Sequence, residues 1–222
     1  MHQNIPKQFL SVNDRPIIVY TLEAFQNHPS IHDIVVVCLE GWDIILSSYC
    51  KQFSITKVTS IVAGGDTGQA SIYNGLLDIA KRYQNNDIVL IHDAIRPMVS
   101  ADIISDCIRV CAEYGNAITA VPCNTAMLRT NDSLSSSEIV IRDNLRATQT
   151  PQAVPLGKLL QYHSEALIQG ITKSVATCTM LIELGHDVYF SAGSEKNIKI
   201  TTVEDIDIFK ALLCTSRMDW LK

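Results

Sequence analysis

The chain has 222 residues, 47% of them hydrophobic, which is enough for one large domain or two small ones and too apolar for a disordered segment. A formal charge of −5 with no basic run or stripe argues against general affinity for nucleic acid, so any nucleotide bound here is expected to be a small molecule. Seven cysteines without regular spacing suit a reducing compartment, and neither a bilayer-spanning apolar run nor an N-terminal signal is visible; a cytoplasmic location and no membrane partner are the expectations.

Ile5-Pro6-Lys7-Gln8-Phe9-Leu10 follows the initiator almost at once, with no strand before it. Pro16 opens a helix that carries Ile17, Ile18, Tyr20, Leu22 and Phe25 at mostly helical spacing. Asp33 to Leu39 reads as a buried strand, Asp43 to Phe53 as a helix and Lys57 to Val62 as the next strand. At Ala63-Gly64-Gly65-Asp66-Thr67-Gly68 the chain changes character, and a helix then runs to about Tyr83. Glycines after a strand let a ligand approach the backbone, and the helix that follows offers free N–H groups. The spacing is neither the P-loop nor the dinucleotide fingerprint, so as a phosphate motif it is weak and a tight strand-to-helix turn is the simpler explanation.

Asp87 to Ile91 reads as a strand buried on both faces, ending at His92-Asp93-Ala94-Ile95-Arg96-Pro97. In an open α/β sheet, ligands sit outside the carboxyl ends of strands, where Asp93 could hold a divalent metal against a phosphate. The alternative is that Asp93 caps a turn and pairs with Arg96. Ala101 to Tyr114 is predicted helical with Gly115-Asn116 as its stop, and Ala117 to Pro122 is a strand. Cys107 and Cys111 stand four apart on that helix, but no second pair with ligand spacing accompanies them, so they are read as core side chains.

Two β-like pieces, Ala126 to Thr130 and Glu138 to Arg142, flank a serine-rich stretch and predict a hairpin projecting from the body. An excursion with so little core of its own needs a partner surface, which predicts a homodimer formed through this arm. Helices are expected at Leu156 to Ile168, Ser174 to Leu184 and Val203 to Leu213, with strands at Asp187 to Ser191 and Asn197 to Ile200. The alternation predicts a single α/β domain over residues 1–222, with a Rossmann-like, mostly parallel sheet, helices on both faces and a β-arm at about 126–149. A nicotinamide-dependent oxidoreductase would need a glycine fingerprint after the first strand and an acidic residue about twenty positions further on, and neither is present.

Four separated stretches resemble the cytidylyltransferases that activate sugar-alcohol phosphates, the methylerythritol phosphate and ribitol 5-phosphate enzymes. They are Pro6-Lys7-Gln8-Phe9-Leu10; Gly64-Gly65-Asp66 with Ser71; His92-Asp93-Ala94-Ile95-Arg96-Pro97; and the span from Arg142 through Gln149-Thr150-Pro151-Gln152 to Asn197-Ile198-Lys199-Ile200-Thr201. Their order and spacing cover nearly the whole chain. The resemblance implies that a phosphate oxygen of a sugar alcohol attacks the α-phosphorus of CTP and expels pyrophosphate, with Mg²⁺ as cofactor. It assigns Lys7 to charge on the α-phosphate, Asp93 to the metal and Lys199 to the attacking phosphate. Gly64, Gly65, Asp66, Ser71 and Ala94 would face the cytosine. Arg142 would grip the acceptor's phosphate from the neighbouring subunit.

The departures also carry expectations. Family members begin with a buried strand and a glycine-rich loop, and Met1 falls where the last residue of that loop would be; weakened binding of the β- and γ-phosphates is expected, together with an upstream segment in the natural protein. Thr125-Ala126 stands where the family usually has Asp-Thr, Val175-Ala176 lies near a usual Thr-Asp, and Gly68 replaces a frequent arginine. Methylerythritol 4-phosphate is the acceptor placed first, with ribitol 5-phosphate or a relative of little activity as the alternatives.

Overall fold

The computed structural model describes residues 5–216. A 3₁₀ turn at Lys7–Phe9 precedes a short hairpin, β1 (Ser11–Val12) and β2 (Arg15–Pro16), followed by α1 (Ile17–Gln26), β3 (Ile34–Cys38), α2 (Asp43–Gln52) and β4 (Val58–Ala63). Next come α3 (Gly68–Ile79), β5 (Ile88–Ile91), α4 (Ala101–Tyr114), β6 (Ala117–Pro122), β7 (Met127–Arg129) and β8 (Glu138–Val140). A 3₁₀ turn at Arg142–Asn144 leads into β9 (Arg146–Pro155), α5 (Leu156–Ile168), α6 (Thr177–Glu183), β10 (Phe190–Ala192) and α7 (Val203–Ser216).

Local chemistry sets many of these limits. Pro16 and Pro155 stand just before α1 and α5, where a missing N–H costs nothing. The side chains of Thr67 and Ser100 accept the N–H groups of Ala70 and Ile103, at 3.1 and 3.3 Å, and so start α3 and α4. Gly115, at φ 89°, ends α4 with its N–H on the Cys111 carbonyl at 2.8 Å, a left-handed cap that a residue with a Cβ adopts at a cost.

Four strands form one ladder in the order β10, β6, β9, β5, while β3 pairs with β4 and β7 with β8. β10 with β6 and β3 with β4 are parallel, but β9 runs antiparallel to both β5 and β6. The sheet is therefore mixed. Residues 149–152, which carry the resemblance, lie within β9, although a proline ordinarily argues against a central strand. Pro151 is tolerated because it falls where the register shifts, between the pairs Ile118–Gln152 and Ala120–Thr148.

Two expected strands also change. The piece expected at Asp187 to Ser191 pairs at Phe190–Ala192, and Asn197 to Ile200 is not a strand, since among the described residues no strand pairs with it. Ile200 instead donates its N–H to the Ile95 carbonyl at 2.9 Å.

Alternate residues of β5 face opposite layers of helix. Val89 and Ile91 pack with Leu76 of α3, Leu159 of α5 and Leu181 of α6, while Ile88 and Leu90 meet Cys107, Val110 and Cys111 of α4. Burial drives the Cys107 and Cys111 thiols up, to about 11 and about 12, and neither is bridged, which suits core side chains. All four residues of β5 nevertheless stay only half-buried. The expectation of burial on both faces is not met, because one edge of β5 borders a cavity of about 700 Å³ that it shares with β3. Phe209 of α7 is fully buried, set edge-on to Tyr20 with ring centroids 5.2 Å apart, and packs with Ile95 and Ile200. That contact clamps the segment after β5 to the segment before α7. No helix among the described residues is long and apolar enough to cross a membrane.

Candidate active site

The end of β5 delivers Asp93, and three distant parts of the chain meet it there. Its backbone N–H donates to Thr150 Oγ1 at 3.0 Å, which also lies 3.0 Å from His92 Nδ1. Lys199 Nζ lies 3.2 Å from Asp93 Oδ2, and Arg96 Nε donates to that same oxygen at 3.1 Å. The pairing of Asp93 with Arg96 and the approach of Lys199 thus coexist. One carboxylate between two cations leaves a positive charge in excess, which favours an anion nearby.

Lys199 needs an anchor, because a half-exposed lysine spends entropy to hold one place. Asn197 supplies it from a fully buried position: its Nδ2 donates to the Thr150 carbonyl at 2.9 Å and to Gln149 Oε1 at 3.2 Å, and its own carbonyl accepts from Arg96 at 2.7 Å. On the other side of Lys199, Asp205 accepts the N–H groups of Thr201 and Thr202, and those bonds hold its carboxyl below the usual range. Burial pushes His92 down to about 4, so its ring is neutral near pH 7 and ties Thr150 to the Arg96 carbonyl, 3.2 Å from its Nε2.

Gly64, Gly65 and Asp66 leave β4 as an exposed turn, with the Gly64 N–H on the Cys38 carbonyl at 3.0 Å. Ser71 accepts the Gly65 N–H at 3.0 Å. A Cβ on Gly65 would stand 2.7 Å from Ala70 Cβ, so the glycine is required by the close approach of the first turn of α3. Ser71, Asp93 and Ala94 line the same cavity, and Thr21 of α1 fixes the Ala94 carbonyl at 2.9 Å.

Lys7 lies on the 3₁₀ turn whose Phe9 stacks on Trp42 at 4.6 Å and belongs to the cluster against which Ala94 packs. This places the turn near the carboxyl ends of β3 and β5, yet no ion pair holds the Lys7 ammonium among the described residues. Arg142 does not join the Asp93 cluster. It sits on the 3₁₀ turn after β8, not within a strand as expected, and donates to the Asn124 carbonyl at 3.1 Å.

The sequence reading did not give Gln149, Thr150, Asn197 or His92 individual roles, although all four stand inside the stretches that carried the resemblance. Their signal was present as polar residues bracketing Pro151 and preceding Lys199.

A two-sided α/β sheet with an anion-attracting cluster and a glycine turn at its strand ends is an architecture suited to handling nucleotide phosphates. A model of the family described as IspD, 2-C-methyl-D-erythritol 4-phosphate cytidylyltransferase, matches residues 1–215. The ribitol-5-phosphate cytidylyltransferase of Lacticaseibacillus paracasei is 43% identical over 215 residues, covering 96% of this chain and 92% of that protein. The 2-C-methyl-D-erythritol 4-phosphate cytidylyltransferase of Clostridium botulinum Loch Maree is 39% identical, covering 96% and 91%. Among solved structures, the Francisella tularensis 2-C-methyl-D-erythritol 4-phosphate cytidylyltransferase superposes with a TM-score of 0.80 at 28% identity, over 94% of this chain and 93% of that one.

These matches define the class: the protein is a cytidylyltransferase, one of the nucleotidyltransferases. The chain belongs to the IspD family of 2-C-methyl-D-erythritol 4-phosphate cytidylyltransferases.

Proposed function

We propose that this chain transfers the cytidylyl group of CTP to ribitol 5-phosphate. A phosphate oxygen of the acceptor attacks the α-phosphorus, a new P–O bond forms, and the bond to pyrophosphate breaks. The observation that carries the transfer chemistry is the meeting of Lys199 with Asp93 at the end of β5, beside the turn anchored by Ser71. In this reading Lys199 positions the attacking phosphate and Lys7 offsets charge on the α-phosphate, while Gly64, Gly65, Asp66, Ser71 and Ala94 face the cytosine. Such a reaction asks for positioning and charge, not for a covalent nucleophile.

Mg²⁺ is the cofactor of this reading, held by Asp93. No group of three or more His, Cys, Asp or Glu that could hold a metal exists among the described residues. A single carboxylate fits Mg²⁺, which keeps waters and substrate phosphates as its other ligands. When bound, the ion offsets phosphate charge. Arg142 completes the acceptor site from a second subunit, beside a cavity of about 280 Å³ lined by Asn124, Thr125 and Glu195 at the root of the arm. The arm itself exposes Leu134 and Ile139, at 92% and 82%, which supports a second subunit as its cover.

Ribitol 5-phosphate is placed first because the 43% relative carries that activity in its name. Methylerythritol 4-phosphate is the second reading, favoured by the 39% relative and by the description of the family. Pyrophosphate release with CTP, Mg²⁺ and each polyol phosphate separates them. It is measured on the 222-residue chain and on an amino-terminally extended form. The expected outcome is a kcat/KM for ribitol 5-phosphate at least about tenfold above that for methylerythritol 4-phosphate, a modest preference for polar discrimination. The reverse order would establish the second reading.

A further inference from the structure

α3 begins where the glycine turn ends, so whatever fixes the start of that helix also fixes Gly64, Gly65 and Ser71. Two side chains there reach across to a segment 102 to 105 positions further along. Gln69, only 6% exposed, donates from Nε2 to the Ile171 carbonyl at 2.7 Å and accepts the Ser174 N–H on Oε1 at 3.1 Å. Thr67 Oγ1 donates to the Thr172 carbonyl at 3.2 Å while accepting the Ala70 N–H. A buried amide that uses both ends on one loop fixes that loop in position, because leaving either end unpaired there is costly.

The far end of the same segment is held by a second buried amide. The segment runs into α6, where Gln152 of β9 accepts the Cys178 N–H on Oε1 at 2.9 Å and donates to the Gln149 carbonyl at 3.2 Å. Close by on β9, Thr150 accepts the Asp93 N–H. Residues 171–178 therefore bridge the glycine turn and the strand that backs Asp93. Gln69 does not line the cavity shared by Ser71, Asp93 and Ala94, so its influence on that space passes through the turn.

We propose that Gln69 is a positioning residue for CTP. Together with Gln152, and through residues 171–178, it sets the spacing between the turn that faces the cytosine and the cluster of Asp93 and Lys199 that handles the phosphates. The inference rests on the reading of that turn as the cytosine site. A nucleotide gripped at both ends demands a fixed spacing, and a misplacement of about 1 Å can cost about a hundredfold in rate.

Steady-state kinetics with CTP and UTP test it, because UTP differs from CTP at the pairing edge of the base. Gln69→Leu keeps the bulk and removes both bonds. KM for CTP is expected to rise about tenfold and the preference for CTP over UTP to fall about tenfold, with KM for the polyol phosphate within about twofold. Asn116→Leu is the matched control. Asn116 is also buried and uses both amide ends on one loop, at the Asp187 carbonyl and the Tyr189 N–H, each at 3.0 Å, but it precedes the amino end of β6. It should lower stability comparably while leaving KM for CTP and the base preference unchanged. Should Gln69→Leu fail to fold, Thr67→Val, which loses the bond to the Thr172 carbonyl, takes its place with the same direction expected. Ser71→Ala, acting on the turn directly, tests the underlying reading in parallel. Base preference lost in Ser71→Ala but kept in Gln69→Leu would overturn the positioning role alone. Preference kept in both would overturn the cytosine reading and the proposal with it. An equal rise of KM for CTP in Asn116→Leu would reveal general loosening and overturn the proposal as well.

Discussion

Asp93 is held by groups far along the chain: Thr150 is 57 positions away and Lys199 is 106 away. In the arm, by contrast, Asp132 accepts the N–H groups of Leu134 and Ser135, and Ser136 Oγ donates to the Arg129 carbonyl seven positions back. The first region is fixed by the tertiary fold and backed by a buried amide at Asn197. The second is a two-stranded ladder of three residue pairs with no buried side chain. The Asp93 cluster is thus preorganised, whereas Arg142 is positioned only as well as an exposed arm allows. Preorganised charge is what lowers a barrier when charge shifts between phosphates.

Four outcomes would sharpen or break that contrast. The largest effect is expected from Asp93→Asn, which keeps the shape but removes the charge. Turnover should fall about 10²–10³-fold in steady-state assays, while the circular dichroism spectrum stays unchanged. Asn197→Ala comes next. It strips two groups, the Thr150 carbonyl and Gln149 Oε1, of a partner in a buried place and should cost about 1–3 kcal/mol in urea unfolding. It should also lower kcat more than it raises KM, since the segment that carries Lys199 loses its brace.

A pH effect follows. His92 and His163 are both pushed down by burial to about 4 from the ordinary 6.5, so the unfolded chain takes up protons first as the pH falls. Their contribution to stability is intact above about pH 6.5 and is lost progressively as the pH drops toward 4. Denaturant titrations across that window should show unfolding free energy falling with pH, and His163→Phe, which cannot titrate, should show a shallower slope. The smallest effect on the chain itself belongs to Ile139→Glu in the arm, within about 0.5 kcal/mol for an exposed position. On the proposal that the arm is covered by a second subunit, its consequence should appear in sedimentation instead, as a shift toward monomer.

Much of the fold was legible because its strands are short apolar runs bounded by turn residues, and its helices have starts and stops such as Ser100 and Gly115. β9 was not, because Pro151 and Pro155 hide a strand whose register shift accommodates the first and whose last residue is the second. Asn197 to Ile200 misled in the opposite direction: its isoleucines look like a strand, but their work is to pack with Phe209 and to present Lys199. The glycine turn and Asp93 could be located from local patterns. The brace of Gln149, Thr150 and Asn197 could not, since it exists only once segments about fifty residues apart have been brought together by folding.

Lys199→Met gives the most direct check on the central claim, that Lys199 and Asp93 meet in order to handle phosphate. A half-exposed ion pair contributes roughly 0–1 kcal/mol to stability, so the melting temperature should barely move. Pyrophosphate release from CTP, followed on the same preparations, should drop at least about a hundredfold. A variant that melts much earlier yet turns over normally per folded molecule would show that the pair serves only the fold, contradicting the account.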